Sequence, residues 1–183
     1  MNYKVVLIPA IIAATGCSLG PKPQTALHDF GVSVRVPDGN VDPAPISVSA
    51  PKWLWDNRIR YRLLYAAPTQ VRFYTLDRWI ASPPELFEQE LAADGKVNDY
   101  PLRIRLLDFE QQFDAPDKAR VLLRFYVEAY DRDTKKVIAA RELSLEKITQ
   151  TADAAGAVSA FAELTRQAGD NIHEWLLRAK VKP

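Results

Sequence analysis

The only cysteine in the chain, Cys17, carries the side chain with the clearest chemistry, because its sulfur can hold a covalently attached lipid. Small residues at 14–16 precede it, as a processing enzyme requires beside a cut site. Lys4 and an apolar run over 5–14 come before them. The run has about half of the ~20 residues that a membrane-spanning helix needs. The pattern therefore predicts a secretory signal over residues 1–16.

Small residues followed by a cysteine resemble the lipobox of bacterial lipoproteins. The resemblance implies diacylglycerol on the sulfur of Cys17, cleavage after Gly16 and acylation of the new amino group. One acyl chain binds a membrane marginally, whereas two or more anchor it stably. Residues 17–26, which include Gly20, Pro21 and Pro23, are then predicted to form a lipidated tether. The alternatives are an ordinary signal followed by a free thiol, or an uncleaved and buried cysteine.

Charge and length restrict the class of the mature chain. The 183 residues include 24 Lys and Arg against 23 Asp and Glu, and the loss of Lys4 with the signal makes the two numbers equal. A neutral chain lacks the basic excess of a general nucleic-acid binder. The length suits one domain, which we place at residues 27–183.

Catalytic and metal-binding motifs are weak. His173-Glu174 begins like a helical zinc motif, but Leu177 stands where the second histidine belongs. Asp131-Arg-Asp133 begins like a calcium loop, but Lys135 replaces an oxygen donor. Phosphate-binding glycine loops and the glycine-flanked serine of hydrolases are missing from the sequence. We expect no enzyme, no metal and no cofactor.

Five arginines form the first candidate binding surface. Arg58, Arg60 and Arg62 alternate along one predicted strand, and Arg103 and Arg105 alternate along another. If the strands are neighbours, the side chains form a cationic patch for phospholipid head groups or an acidic partner. The alternative is an exposed sheet face where arginine discourages aggregation and nearby carboxylates cancel the field.

Three tryptophans form the second candidate surface. Trp53, Trp55 and Trp79 fall close together in the sequence and could line a groove for a lipid or a partner. The alternative is that they pack in or beside the core.

Hydrophobic periodicity predicts the elements that position these side chains. A capping box at Ser82-Pro-Pro-Glu85 starts a helix that ends near Asp94 and Gly95. An apolar stripe predicts a long C-terminal helix over 153–179. Strand 120–130 is apolar on both faces, which indicates a sheet covered on both sides. The other strands are predicted at 31–36, 46–50, 58–65, 70–75, 102–113 and 137–148.

An ordered series of segments resembles the family of ABC-type transport auxiliary lipoproteins. The segments are Ile46-Ser-Val48, Pro51, Trp53-Leu-Trp-Asp56, Ile59-Arg-Tyr-Arg62, Asp77-Arg-Trp79, Pro83 and Leu107-Asp-Phe-Glu110. The family's fold is a three-layer α/β sandwich similar to the amino-terminal domain of TolB. It implies a mixed, largely antiparallel sheet and a long C-terminal helix.

The resemblance also implies a role. Its members accompany transport systems built from MCE-domain proteins and ABC transporter components, which move lipids or other hydrophobic molecules between the inner and outer membranes. Ser18 after Cys17 implies sorting to the periplasmic face of the outer membrane. Ring-forming partners leave a dimer or ring of this chain as an option. The alternatives are a lipoprotein that activates a cell-wall synthase or supports envelope integrity, and a secreted hydrolase with a dispersed site.

Overall fold

The computed structural model describes residues 23–31, 45–95 and 100–180. These ranges contain seven strands, two α-helices and a short 3-10 helix over Lys52–Leu54. The strands are β1 (Ala26–His28), β2 (Ile46–Ser49), β3 (Arg58–Leu63), β4 (Ala67–Trp79), β5 (Leu102–Ala115), β6 (Lys118–Tyr130) and β7 (Val137–Ile148). The helices are α1 (Pro83–Asp94) and α2 (Ala154–Lys180).

All seven strands belong to one open sheet in the order β1-β4-β3-β5-β6-β7, with β2 beside β5. β5 is central: β6 pairs with it antiparallel on one side, and two parallel strands share its other side. β2 pairs with the first part of β5, over Leu102–Arg105, and β3 pairs with the last part, over Gln111–Phe113. The chain between β2 and β3 therefore crosses a gap along β5.

The first helix begins and ends where its sequence indicates. The backbone N–H and the hydroxyl of Ser82 both donate to the Glu85 carboxylate, at 2.9 and 2.6 Å. Those hydrogen bonds lower the pKa of Glu85. Gly95 ends α1 with φ of 60°, a left-handed conformation that glycine adopts without steric cost.

The second helix buries the stripe that its periodicity predicts. Ala157, Phe161 and Leu164 are each at most 1% exposed, as are Ala168 and Ile172. Phe161 stacks on Phe109 of β5 with ring centroids 3.8 Å apart. Repeated apolar residues thus fix α2 against the sheet.

Both helices pack on the same face of the sheet, where β6 places alternate residues from Ala119 to Ala129. α1 reaches that face through Phe87, whose ring lies 5.2 Å from the ring of Phe125, and α2 reaches it through Phe161. The α/β class, the mixed sheet and the long C-terminal helix are confirmed. The described ranges form two layers, however, and not three.

The other face of β6 explains this difference. Tyr126 and Tyr130, which made the strand look apolar on both sides, lie under arginine side chains of β5. They are half-buried, and neither of the two described helices lies above them. Aromatic rings that lie beneath guanidinium groups can cover a sheet face as a third layer would.

Asp153 caps α2 and carries a pH-dependent prediction. Its carboxylate accepts hydrogen bonds from the Gly156 N–H at 2.8 Å and the Thr151 hydroxyl at 2.7 Å, which lower its pKa. A carboxyl group whose pKa is lower in the folded state than in the unfolded state stabilises the fold. This stabilisation is present above the pKa of the unfolded state, near 3.9, and is lost as pH falls through the lower pKa of the folded state. We expect Asp153→Ala to lower the free energy of unfolding by about 1 kcal/mol at pH 7.

Urea unfolding at pH 7 and pH 3 measures this effect. The difference in the free energy of unfolding between wild type and Asp153→Ala should be smaller at pH 3 than at pH 7. Asp153→Asn should retain much of the wild-type stability at pH 7, because its amide oxygen can also accept the capping hydrogen bond. An equal difference at both pH values would show that the charge is irrelevant.

Gly156, in the first turn of α2, touches the preceding loop. A Cβ at this position would lie 2.1 Å from the backbone oxygen of Thr151 and 2.6 Å from its hydroxyl oxygen. Alanine favours a helix by about 1 kcal/mol over glycine. Because the backbone must move to make room for the Cβ, we expect Gly156→Ala to lower the free energy of unfolding by a net of about 2 kcal/mol.

The neighbouring Ala155, which is exposed, provides the matched control. Ala155→Gly should cost at most about 1 kcal/mol. Thermal and urea unfolding of both variants compares the two effects, and a Gly156→Ala protein more stable than wild type would contradict the packing.

Most predicted elements are confirmed within two or three residues, although β4 is longer than predicted at both ends. β1 falls at the junction assigned to the tether and the domain, and the predicted strand over 31–36 lies outside the described residues except for Gly31. None of the helices in the described ranges combines the length and apolar character that a membrane span requires.

Candidate functional site

Among the described residues, the sheet face opposite the helices carries six arginines of β3, β5 and β6 besides Arg58, and we call it the arginine face. β3 shows how alternation builds it: Ile59 is fully buried in the core, while Arg60 and Arg62 point to the other side. β5 and β6 contribute the remaining members in the same way. The six residues are Arg60, Arg62, Arg103, Arg105, Arg120 and Arg124.

Carboxylates on the same face pair with several of these arginines. Arg124 lies 2.6 Å from Asp108 and 3.2 Å from Glu142. Arg120 bonds to Asp114 and lies 3.2 Å from Glu146. The hydrogen bond to Asp108 is the main cause of a raised pKa of Arg124. Positive charge on this part of the face is therefore largely compensated locally.

The most buried of these pairs joins β3 to β5. The Nε of Arg62 donates to both oxygens of Glu110, at 2.8 and 2.9 Å. Glu110 is only 6% exposed and also accepts from the side-chain amide of Gln112 at 3.0 Å. A buried carboxylate requires such partners, because an unpaired charge inside a protein is costly.

Arg60 differs from its neighbours. Its guanidinium is half-buried, and one terminal nitrogen lies 3.4 Å from the backbone oxygen of Trp53. Within the described part of the chain its Nε is buried without a hydrogen-bond partner. Burial is the main cause of a lowered pKa for this arginine.

Arg103 and Arg105 are exposed and lie over aromatic rings. The guanidinium carbon of Arg103 is 4.5 Å from the ring centre of Tyr130, and that of Arg105 is 5.6 Å from the ring centre of Tyr126. Arg103 also donates to the Tyr130 hydroxyl at 3.3 Å, which in turn donates to Glu128 at 2.8 Å. Both cations keep their charge facing solvent.

The predicted clusters share the arginine face but lie at different levels of it. Arg62 is beside Gln112 near the end of β5, whereas Arg105 is near its beginning and beside β2. Seven residues of strand separate those levels, about 23 Å. Arg58 stands apart again: it bonds to Asp56 and lies 3.8 Å above the ring of Phe73. The structure thus brings the five arginines to one side of the sheet without joining them into one patch.

The three tryptophans have two different environments. Trp53 and Trp55 are 63% and 47% exposed on the loop over 50–57 between β2 and β3, which we call the tryptophan loop. Trp79 is 1% exposed and contacts Phe30, Phe109 and Phe161 edge to face. The prediction that Trp79 faces a partner is therefore wrong, because its ring fills the core between β4 and α2.

Other candidate chemistry is sparse in the described ranges. They contain no group of three or more His, Cys, Asp or Glu side chains arranged to hold a metal ion. His28 on β1 pairs with Asp77 on β4 at 2.9 Å and so joins an edge strand to the sheet. Cys17, the predicted lipidation site, lies outside the described residues.

Sequence reasoning missed the acidic half of the arginine face. Asp108, Glu110 and Gln112 alternate along β5, a signal that places them together. Only a β-bulge between Leu106 and Asp108 brings them to the side of Arg103 and Arg105. Strict alternation would have put the two groups on opposite faces.

Comparison with solved structures shows that the fold is shared with other proteins. A Xanthomonas campestris protein described as belonging to the DUF330 family aligns with a TM-score of 0.64 and 16% identity, covering 88% of this chain and 90% of its own. An uncharacterised protein gives the same TM-score with 13% identity, covering 84% of this chain and 99% of its own. At such identities the likeness concerns the fold alone.

A third structure, a candidate lipoprotein from Caulobacter crescentus CB15, aligns with a TM-score of 0.34 and 13% identity. It covers 51% of this chain and 83% of its own, too weak a likeness to carry an argument. No protein-family model matches the sequence, and neither does any curated protein.

Proposed function

We propose that this chain is a non-enzymatic periplasmic lipoprotein that assists an ABC- and MCE-type transport system for lipids or other hydrophobic molecules. It is held by acyl chains on Cys17 at the inner leaflet of the outer membrane. Its partners are an MCE-domain protein and components of the ABC transporter. The proposal needs neither a cofactor nor a metal.

The observation that carries the proposal is the order of three segments. A short apolar signal is followed by the Gly16-Cys17 junction, then by a short tether rich in glycine and proline, then by a folded domain beginning at β1. Two or more acyl chains at the junction would anchor that domain to a membrane stably. The ordered segments that resemble transport auxiliary lipoproteins fall on β2, β3, β4 and β5, on the loop between β2 and β3, and on the first residue of α1.

The surface of the described domain supports a binding role. Arg62, Arg120 and Arg124 of the arginine face bond to neighbouring carboxylates, so the face lacks the strong uniform field expected for general binding of polyanions. Such a surface suits recognition of a specific partner.

Mass spectrometry of the mature chain from its native host tests the anchor. We expect cleavage after Gly16 and a diacylglycerol and an additional acyl chain on Cys17, with Cys17→Ser giving an unprocessed or unacylated chain. A native chain with an intact leader or an unmodified thiol would overturn the proposal.

Cross-linking followed by affinity purification from native envelopes tests the role. We expect an MCE-domain protein or an ABC component to copurify with wild type and to be lost or reduced with Cys17→Ser. Copurification of a peptidoglycan synthase instead, with normal lipid transport in a deletion strain, would favour the envelope-integrity alternative and contradict the transport role.

A further inference from the structure

We propose that the domain touches the bilayer with the surface around the tryptophan loop, where β1 and β4 end and β3 begins, so that aromatic side chains lie among the head groups of anionic phospholipids. The inference rests on the proposed acylation of Cys17. It goes beyond anchoring, because it assigns the surface that faces the membrane.

Backbone hydrogen bonds bring four segments together at this end. The N–H of Trp79, at the end of β4, donates to the oxygen of Asn57 in the tryptophan loop at 2.7 Å. The N–H of Ile80 donates to the oxygen of His28, at the end of β1, at 2.8 Å. The ends of β1 and β4 and the start of β3 therefore lie next to the tryptophan loop.

Large apolar side chains on these segments are unusually exposed. Leu27 and Ile80 are each 60% exposed, in addition to the two tryptophans of the loop. We call these four residues the tryptophan end. Single exposed apolar residues are common, but several on adjoining segments mark an interaction surface. Tryptophan in particular favours the boundary between lipid chains and water, because its ring is apolar and its N–H is polar.

Charge at the tryptophan end favours an anionic membrane. The four cations outnumber the three carboxylates, Asp29, Asp56 and Asp77, of which Asp56 is paired with Arg58 and Asp77 with His28. Arg78 also lies close enough to Asp56 to contribute to the lowering of its pKa, of which the hydrogen bond from Arg58 is the main cause. Cations near a membrane surface are attracted to anionic lipids. The cations are Lys52, Arg58, Arg60 and Arg78.

The length of the tether selects this end over the opposite one. Nine residues lead from Cys17 to Ala26, so the acylated sulfur stays within about 30 Å of β1. Ala26 is beside Asp77, two residues and about 7 Å from the level of Trp79. The other end of β4, at Ala67, is ten residues and about 33 Å away. The tether reaches the tryptophan end with slack, whereas its full extension of about 30 Å falls short of the opposite end.

Fluorescence quenching in vesicles tests this orientation. The mature chain, whose acylation is verified by mass spectrometry, is reconstituted in vesicles of phosphatidylcholine and phosphatidylglycerol. A parallel sample uses lipids that carry bromine on the upper part of the acyl chains. We expect brominated lipid to quench the wild-type emission. The quenching should fall about threefold in Trp53→Ala/Trp55→Ala, because those rings lie nearest the bromine.

Trp175→Phe provides the matched control, because Trp175 lies beside Arg141 and Leu143 of β7, at the opposite edge of the sheet from β1. Its fractional quenching should be no smaller than that of wild type. Circular dichroism checks that each variant is folded. An acylated chain that is not quenched, or whose quenching survives the double substitution, would overturn the orientation and leave the transport proposal intact. A chain without acylation at Cys17 would overturn the proposed anchor instead.

Discussion

Trp79→Ala should lower the free energy of unfolding by about 4 kcal/mol, whereas Trp53→Ala and Trp55→Ala should each change it by less than about 0.5 kcal/mol. Trp79 is 1% exposed, and its ring is within 6 Å of three phenylalanine rings. Its removal leaves a cavity between β4 and α2 that the surrounding side chains cannot fill. The other two rings lose little, because about half or more of the surface of each is already in water.

Urea unfolding followed by circular dichroism measures all three variants at one pH. Trp79→Phe serves as the milder core control and should lie between wild type and Trp79→Ala. If Trp53→Ala lowered the free energy of unfolding as much as Trp79→Ala, the tryptophan loop would be packed far more tightly than its exposure indicates. It would also remove the basis for assigning that loop to an interface.

Arg62→Met should destabilise the fold by about 3 kcal/mol, because it leaves the buried carboxylate of Glu110 without its hydrogen-bonded cation. Arg62 is itself partly exposed, so we place the effect at the low end of the range for a buried pair. Replacing both partners, as in Arg62→Met/Glu110→Met, removes the unpaired charge. The double variant should therefore recover to within about 1 kcal/mol of wild type.

A double-mutant cycle with Glu110→Met as the second single variant measures the coupling between the two side chains. Arg120→Met is the matched control on the same face, where the nearby carboxylates are about half exposed and the expected cost is smaller. If the double variant were no more stable than Arg62→Met, the charge of Glu110 would not be the cause of the loss.

The sequence predicts the elements well where a local signal sets them. The capping box and Gly95 bound α1, and the stripe from Ala157 to Ile172 defines the buried side of α2. Long alternating runs locate β5, β6 and β7, and the short turns between them correctly predict antiparallel pairing. These signals are local in the chain, so no knowledge of distant contacts is needed to read them.

Features that depend on distant residues could not be predicted. Glu88 of α1 accepts a hydrogen bond from the Val48 N–H at 2.7 Å, on the edge of β2 that faces away from β5. The bulge near Leu106 changes which side chains of β5 share a face. The exposure of Trp53 and the burial of Trp79 likewise follow from where their segments pack, since residue type alone favours neither.

The shared side of β5 has a consequence for the order of events in folding. β2 and β3 pair with residues about fifty positions further along the chain, at Leu102 and Gln111. A polypeptide that emerges amino terminus first cannot complete these parallel pairs until β5 has appeared, and closing such long loops slows assembly. β5, β6, β7 and α2 are contiguous and should assemble first. With Cys17 acylated as proposed, the amino-terminal strands would be attached to the membrane first and would become ordered last. A holdase chaperone would have that interval in which to bind them.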